Sequence, residues 1–166
     1  MEVTREVDTT PAETIPKRAT VLVVDDDPII RALIAEALEA DSHKVVVAEN
    51  GSAALESVAA GLRPDLLVTD LVMPDLSGDT LSHEVQLISP QTKILFMSGY
   101  LTAEIAARSV LIPNLPFIEK PFALSHLQDT VNALLNGGLP ASPFGHLRLT
   151  GHEPLPNPTF ATAHAG

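Results

Sequence analysis

Four short aliphatic runs in this chain each end in polar groups: Asp25-Asp26-Asp27, Asp70, Ser98-Gly99 and Glu119-Lys120-Pro121. Taken singly, each has an ordinary explanation. Asp27 before Pro28 has the form of a helix N-cap. Acidic turns are usually solvated, Ser-Gly pairs make turns, and a lone lysine is a surface residue. Four runs ending in complementary groups are harder to obtain by chance, and together they describe one chemistry. Clustered carboxylates repel one another and call for a cation. With oxygen donors only and no cysteine in the chain, Mg2+ is the ion that suits them. An ammonium at Lys120 and a hydroxyl at Ser98 complete a set able to hold phosphoryl oxygens while a carboxylate attacks phosphorus.

These groups must be brought to one place by the elements that carry them. The runs Val21–Val24, Lys44–Ala48, Leu66–Thr69, Ile94–Met97 and Phe117–Ile118 are continuous rather than alternating, as in strands covered on both faces. Helical stripes lie between them. Ile30, Leu33, Ile34, Ala37 and Leu38 share one face, and Gly51–Gly61 is Ala-rich and bounded by glycines. Leu81, Val85 and Ile88 mark a third helix, and residues 102–110 a fourth with a thin stripe. Leu124, Leu127, Val131, Leu134 and Leu135 mark a fifth, with Gly137 at its C-terminal end. Strand–helix alternation implies right-handed crossovers: a doubly wound five-stranded parallel sheet with five helices in three layers, of flavodoxin-like type. In such a sheet the functional crevice lies beyond the carboxyl ends of the strands, where the polar groups stand.

Composition narrows the function classes. The 166 residues are 45% hydrophobic and 4% aromatic, so the core is aliphatic. The net charge of −11 argues against nucleic acid or an anionic membrane surface as direct partner. Residues 20–138 carry 6 basic and 16 acidic side chains, so the acidity belongs to the patterned part. No apolar run is long enough to span a membrane, and the N-terminal stretch lacks a signal-peptide core. With no cysteine, a cytoplasmic location is expected. Residues 1–19 read as a flexible leader. Residues 139–166, with five of the 14 prolines, read as an irregular tail. The six histidines have no metal-ligand spacing and read as surface residues.

The segments TVLVVDDDP, DLLVTDLVMPDLSG, ILFMSGY and PFIEKPF, in this order, resemble the receiver domain of two-component response regulators over about residues 20–138. The resemblance implies that Asp70 is the phosphoacceptor and that Asp25 and Asp26, with Asp70 and the backbone carbonyl of Val72, hold Mg2+. It implies that Ser98 and Lys120 contact the phosphoryl group and that Ser98 and Phe117 form the switch, the ring turning inward on phosphorylation. Thr is commoner than Ser at the first switch position and Tyr than Phe at the second, so a phenolic output contact is absent here. The donor would be a histidine kinase or a histidine phosphotransfer protein, and the output the surface of the fourth helix, fifth strand and fifth helix. The chain would be a signalling phosphoacceptor that catalyses its own modification, rather than an enzyme with a separate substrate. SGY and the Pro-containing stretch before Lys120 are closest to receivers of hybrid kinases. The starting Met and the short tail suggest a single-domain receiver.

Two alternatives compete. Asp25-Asp26-Asp27 contains a D-x-D, as in haloacid-dehalogenase-like phosphatases, with Asp25 as nucleophile and Asp27 as acid. That reading leaves Asp70 and its loop unexplained and finds only Asp129 for a second acidic motif. A phosphorylation-independent protein-binding module would be expected to have lost part of the set.

Overall fold

In the computed structural model, residues 18–99 and 116–138 are described. The elements run β1 (Thr20–Val24), α1 (Pro28–Ala40), β2 (Lys44–Ala48), α2 (Gly51–Ala59), β3 (Leu66–Asp70), α3 (Gly78–Ile88), β4 (Lys93–Ser98), β5 (Phe117–Glu119) and α4 (Leu124–Leu135). The strands form one parallel sheet in the order β2-β1-β3-β4-β5. The expected helix at 102–110 and nearly all of the leader and tail lie outside the described residues.

Strand parity sorts the core into two layers. Val21 and Val23, Leu66 and Val68, Leu95 and Met97, and Ile118 pack against Ile34 and Leu38 of α1 and Leu127, Val131 and Leu134 of α4. The residues between them, Leu22, Val24 and Leu67, pack against Ala54 and Val58 of α2 and Leu81 and Val85 of α3. Successive strand side chains point to opposite faces, so a run apolar at every position can only be covered by helices on both sides. Each fully buried leucine in these layers contributes about 2 kcal/mol. β2 departs from this pattern. Among the described residues it is an edge strand, paired only with β1, and Val47 is half exposed.

The helix ends follow local chemistry. Asp27 caps α1, its Oδ1 accepting from the N–H groups of Ile29 (2.8 Å) and Ile30 (3.3 Å), with Pro28 in the first turn. α2 stops at Ala59, two residues short of the expected Gly61, because Ala60 closes the last turn and Gly61 takes φ +118°, which leaves the helical path. Ala19, counted above with the leader, is buried, and its carbonyl accepts from the Lys44 N–H at 2.8 Å, so the folded unit includes it. No helix among the described residues is long and apolar enough to cross a membrane.

Candidate functional site

Sheet order places β1 and β3 side by side, with the chain leaving to opposite flanks from this pair: β2 lies beyond β1, β4 and β5 beyond β3. The carboxyl ends of β1 and β3 therefore flank the crevice of a doubly wound sheet. Val24 pairs with Thr69, which sets Asp25 level with Asp70, and Asp70 in turn pairs with Met97. Ser98 pairs with Glu119, and the Lys120 N–H donates to the Ser98 carbonyl at 2.7 Å.

Lys120 joins the two sides. Its Nζ donates to Asp25 Oδ2 at 2.6 Å and to Asp70 Oδ2 at 2.8 Å. Burial works against the ammonium, but the hydrogen bonds to Asp25 and Asp70 and the charges of both outweigh it, holding the Lys120 pKa above the ordinary lysine value. The two aspartates differ in access. The Asp25 side chain is fully buried, while that of Asp70 keeps 14% exposure. Asp25 Oδ1 accepts from the Asp27 N–H at 2.9 Å, and its carbonyl accepts from the Arg31 guanidinium at 2.6 Å. Asp70 Oδ1 accepts from the Val72 N–H at 3.2 Å.

Asp26 stands exposed at the mouth of this arrangement. Asp25, Asp26 and Asp70 each offer a carboxylate oxygen within 4.8 Å of the others. Three carboxylates facing one ammonium leave two negative charges, and every donor is a hard oxygen. That set fits a divalent cation such as Mg2+.

The loop after Asp70 is gripped tightly. The Leu71 N–H donates to the Met97 carbonyl at 2.8 Å and the Gly78 N–H to the Leu71 carbonyl at 2.9 Å. A Cβ on Gly78 would lie 2.2 Å from the Asp70 carbonyl oxygen and 3.0 Å from Leu71 Cα, so only glycine lets α3 start this close to the strand end. Farther along, the Asp75 carboxylate accepts from the Ser52 N–H at 2.9 Å and the Gly51 N–H at 3.3 Å, at the start of α2. Burial acts to raise the Asp75 pKa, but the hydrogen bonds from Ser52, Leu76 and Gly51 together prevail and lower it to about 2. Asp75 and Asp26 line an open cleft of about 450 Å3 with Arg31 and Asn50.

The structure thus brings Asp25, Asp26, Asp70 and Lys120 together and sets Ser98, buried, at the neighbouring strand end. Val72 follows on the loop with its side chain in solvent. Phe117 is already buried at 5% exposure, packed with Phe96 and Leu71. Asp27 is occupied as a helix cap and Asp25 is sealed, which removes the acid and the accessible nucleophile of the D-x-D alternative. Sequence reasoning missed Arg31, Asp75 and Gly78. It also placed His43 on the surface, whereas that ring is buried at 5% exposure and bonded to Asn132 of α4.

Fold and site define a receiver domain, and comparison agrees: the response regulator receiver domain family matches residues 21–132. The chain belongs to that family, the phosphorelay receivers of two-component signalling. It is similar to the response regulator receiver protein CpdR of Brucella abortus (strain 2308), at 32% identity over 115 residues, 69% of this chain and 92% of the relative. It is 36% identical over 122 residues, 74% of its length, to the DNA-binding transcriptional regulator NtrC of Azospirillum brasilense, but spans only 25% of that protein. Among solved structures, a response regulator receiver protein from Sinorhizobium medicae WSM419 superposes with a TM-score of 0.65 at 27% identity, covering 72% of this chain and 96% of the other.

Proposed function

We propose that this chain is a phospho-accepting receiver in which Asp70 takes a phosphoryl group from phosphohistidine on a histidine kinase or histidine phosphotransfer protein. The observation that carries the reading is the Lys120 ammonium bonded to both Asp25 and Asp70, with Asp70 the one of the two that solvent reaches. A carboxylate oxygen of Asp70 attacks phosphorus in line. The P–N bond breaks, the imidazole leaves with its electron pair and takes up a proton, and an acyl phosphate remains on Asp70. Asp25, Asp26, Asp70 and the Val72 carbonyl would hold Mg2+, which supplies neutralising charge beside the phosphoryl oxygens. Lys120 turns its N–H donors to a phosphoryl oxygen, and the Ser98 hydroxyl donates to another, so charge gathered in the transition state meets preset donors.

The readout is a population shift. Contacts to the phosphoryl group made at Ser98 and Lys120 favour one packing of β5 and α4 over another, and a few kcal/mol of difference is enough. Residues 19–138 form the working unit in this reading, with 1–18 and 139–166 as appendages. Its donors place it in the cytoplasm, acting on protein partners rather than on nucleic acid or membrane. The chain is a signalling component that supplies its own nucleophile.

Incubation with a small-molecule phosphodonor and Mg2+ should add one phosphoryl group, detected by intact mass, and Asp70→Asn should abolish it. Equal labelling of Asp70→Asn would overturn the assignment.

A further inference from the structure

α2 is capped twice at the same end. Asn50, its own N-cap, accepts from the Ala53 N–H at 2.8 Å. The two N–H groups before that one go to Asp75, a residue of the β3–α3 loop 24 positions beyond Gly51. A helix start needs acceptors for its first amides, but it does not need them from a distant loop. The backbones also touch: a Cβ on Gly51 would lie 2.7 Å from Leu76 Cβ and 3.0 Å from the Leu76 carbonyl oxygen. At its far end the same loop is pinned by Gly78 against Asp70. Between Asp70 and the clasp at Asp75 lies Val72, whose N–H holds Asp70 Oδ1 and whose side chain has 69% exposure.

We infer that Asp75 is a positioning residue for the phosphoacceptor site: by clasping the loop to α2 it fixes the backbone of Val72 over Asp70. Asp75 touches neither Asp70 nor a ligand, and it acts through the loop. The geometry stands on its own, while the consequence for metal binding rests on the reading of Val72 and Asp70 given above. A carboxylate that stays ionised well below neutral pH keeps the clasp closed throughout the physiological range.

A purely structural cap and a clasp for the site predict different results, and Asn50→Ala separates them. That variant weakens α2 at the same end without touching the loop. Amide hydrogen exchange and the Mg2+ dissociation constant by calorimetry, both measured well below the melting temperature, give the readouts. In Asp75→Ala, exchange at Val72 should accelerate about tenfold and Mg2+ affinity should fall several-fold, with Asp75→Asn intermediate. In Asn50→Ala, the melting temperature should fall while exchange at Val72 and Mg2+ affinity stay native. The clasp is overturned if Val72 exchanges at the native rate in Asp75→Ala. It is also overturned if Mg2+ affinity is native in that variant, or if Asn50→Ala matches it in both readouts. Should the native chain bind no Mg2+, the metal reading fails while the exchange rates still decide the clasp.

Discussion

The two ends of the sheet handle polar groups in opposite ways. At the carboxyl end, three carboxylates share one ammonium, and like charges are held close together. At the amino end, polar side chains mesh. The Asp41 carboxylate accepts from Asn132 Nδ2 (3.2 Å) and Gln128 Nε2 (3.0 Å). That bond turns Asn132 Oδ1 toward His43 Nε2 at 3.3 Å, and His43 Nδ1 accepts from the Ala19 N–H at 3.4 Å. Lys93 nearby donates to the last carbonyls of α4, and Thr92 donates to the Pro64 carbonyl. No buried side-chain polar atom among the described residues lacks a partner. One end is built to be complete, while the other is short of positive charge until something binds. Stability and function are thus separated along the strand axis.

The comparison breaks if substitutions at the two ends have the same consequences. The largest effect is expected from Lys120→Met, which removes the one ammonium and leaves the buried Asp25 carboxylate facing Asp70. Phosphoryl incorporation from a small-molecule donor should fall about a hundredfold, and a thermal melt should show lost stability. Retained labelling would mean that the lysine is structural, like the polar groups at the amino end.

Next comes the cation. At a tenfold excess over its dissociation constant, Mg2+ should stabilise the chain by about 1.4 kcal/mol, read as a rise in melting temperature, and Asp26→Ala should diminish the rise. No shift in the native chain would place both ends in the same complete class.

At the amino end, Asn132→Ala should cost about 1 kcal/mol of unfolding free energy by denaturant titration. Mg2+ affinity and phosphoryl incorporation should stay native. A changed affinity would show that the two ends are coupled through α4.

The smallest effect concerns Asp75. Its folded pKa, about 2, lies below the ordinary 3.8, so its stabilising contribution is present above that value and is lost as pH falls through it toward 2. The difference in melting temperature between native and Asp75→Asn should therefore narrow over that interval. A difference that widens would contradict the hydrogen bonds assigned to the carboxylate.

Much of this was legible because a parallel sheet converts sequence order into spatial convergence. Asp25, Asp70, Ser98 and Lys120 each follow an aliphatic run, and parallel strands bring their carboxyl ends to one rim. What escaped depends on contacts between distant residues. His43 sits among Asp41, Ser42 and Lys44 and reads as part of a polar turn; what buries it lies 89 residues away at Asn132. Asp75 looks like any acidic loop residue until α2 is folded beside it. The packing of Phe117 with Phe96 and Leu71 is likewise a contact between distant residues, which local pattern does not encode. The exposure of Val47 follows from strand order, which periodicity leaves open.

The reach of Lys120 also has a kinetic meaning. Its bond to Asp70 spans 50 residues and its bond to Asp25 spans 95. With every strand pair among the described residues parallel, no hairpin among them shortens those closures. Their entropic cost grows only slowly with length, but it must be met before the contact returns anything. The carboxylates of β1 and β3 can come together while β5 is still unplaced, and in that order the repulsion forms before the charge that relieves it. A fragment that stops before residue 120 contains all three aspartates without the ammonium that joins Asp25 to Asp70.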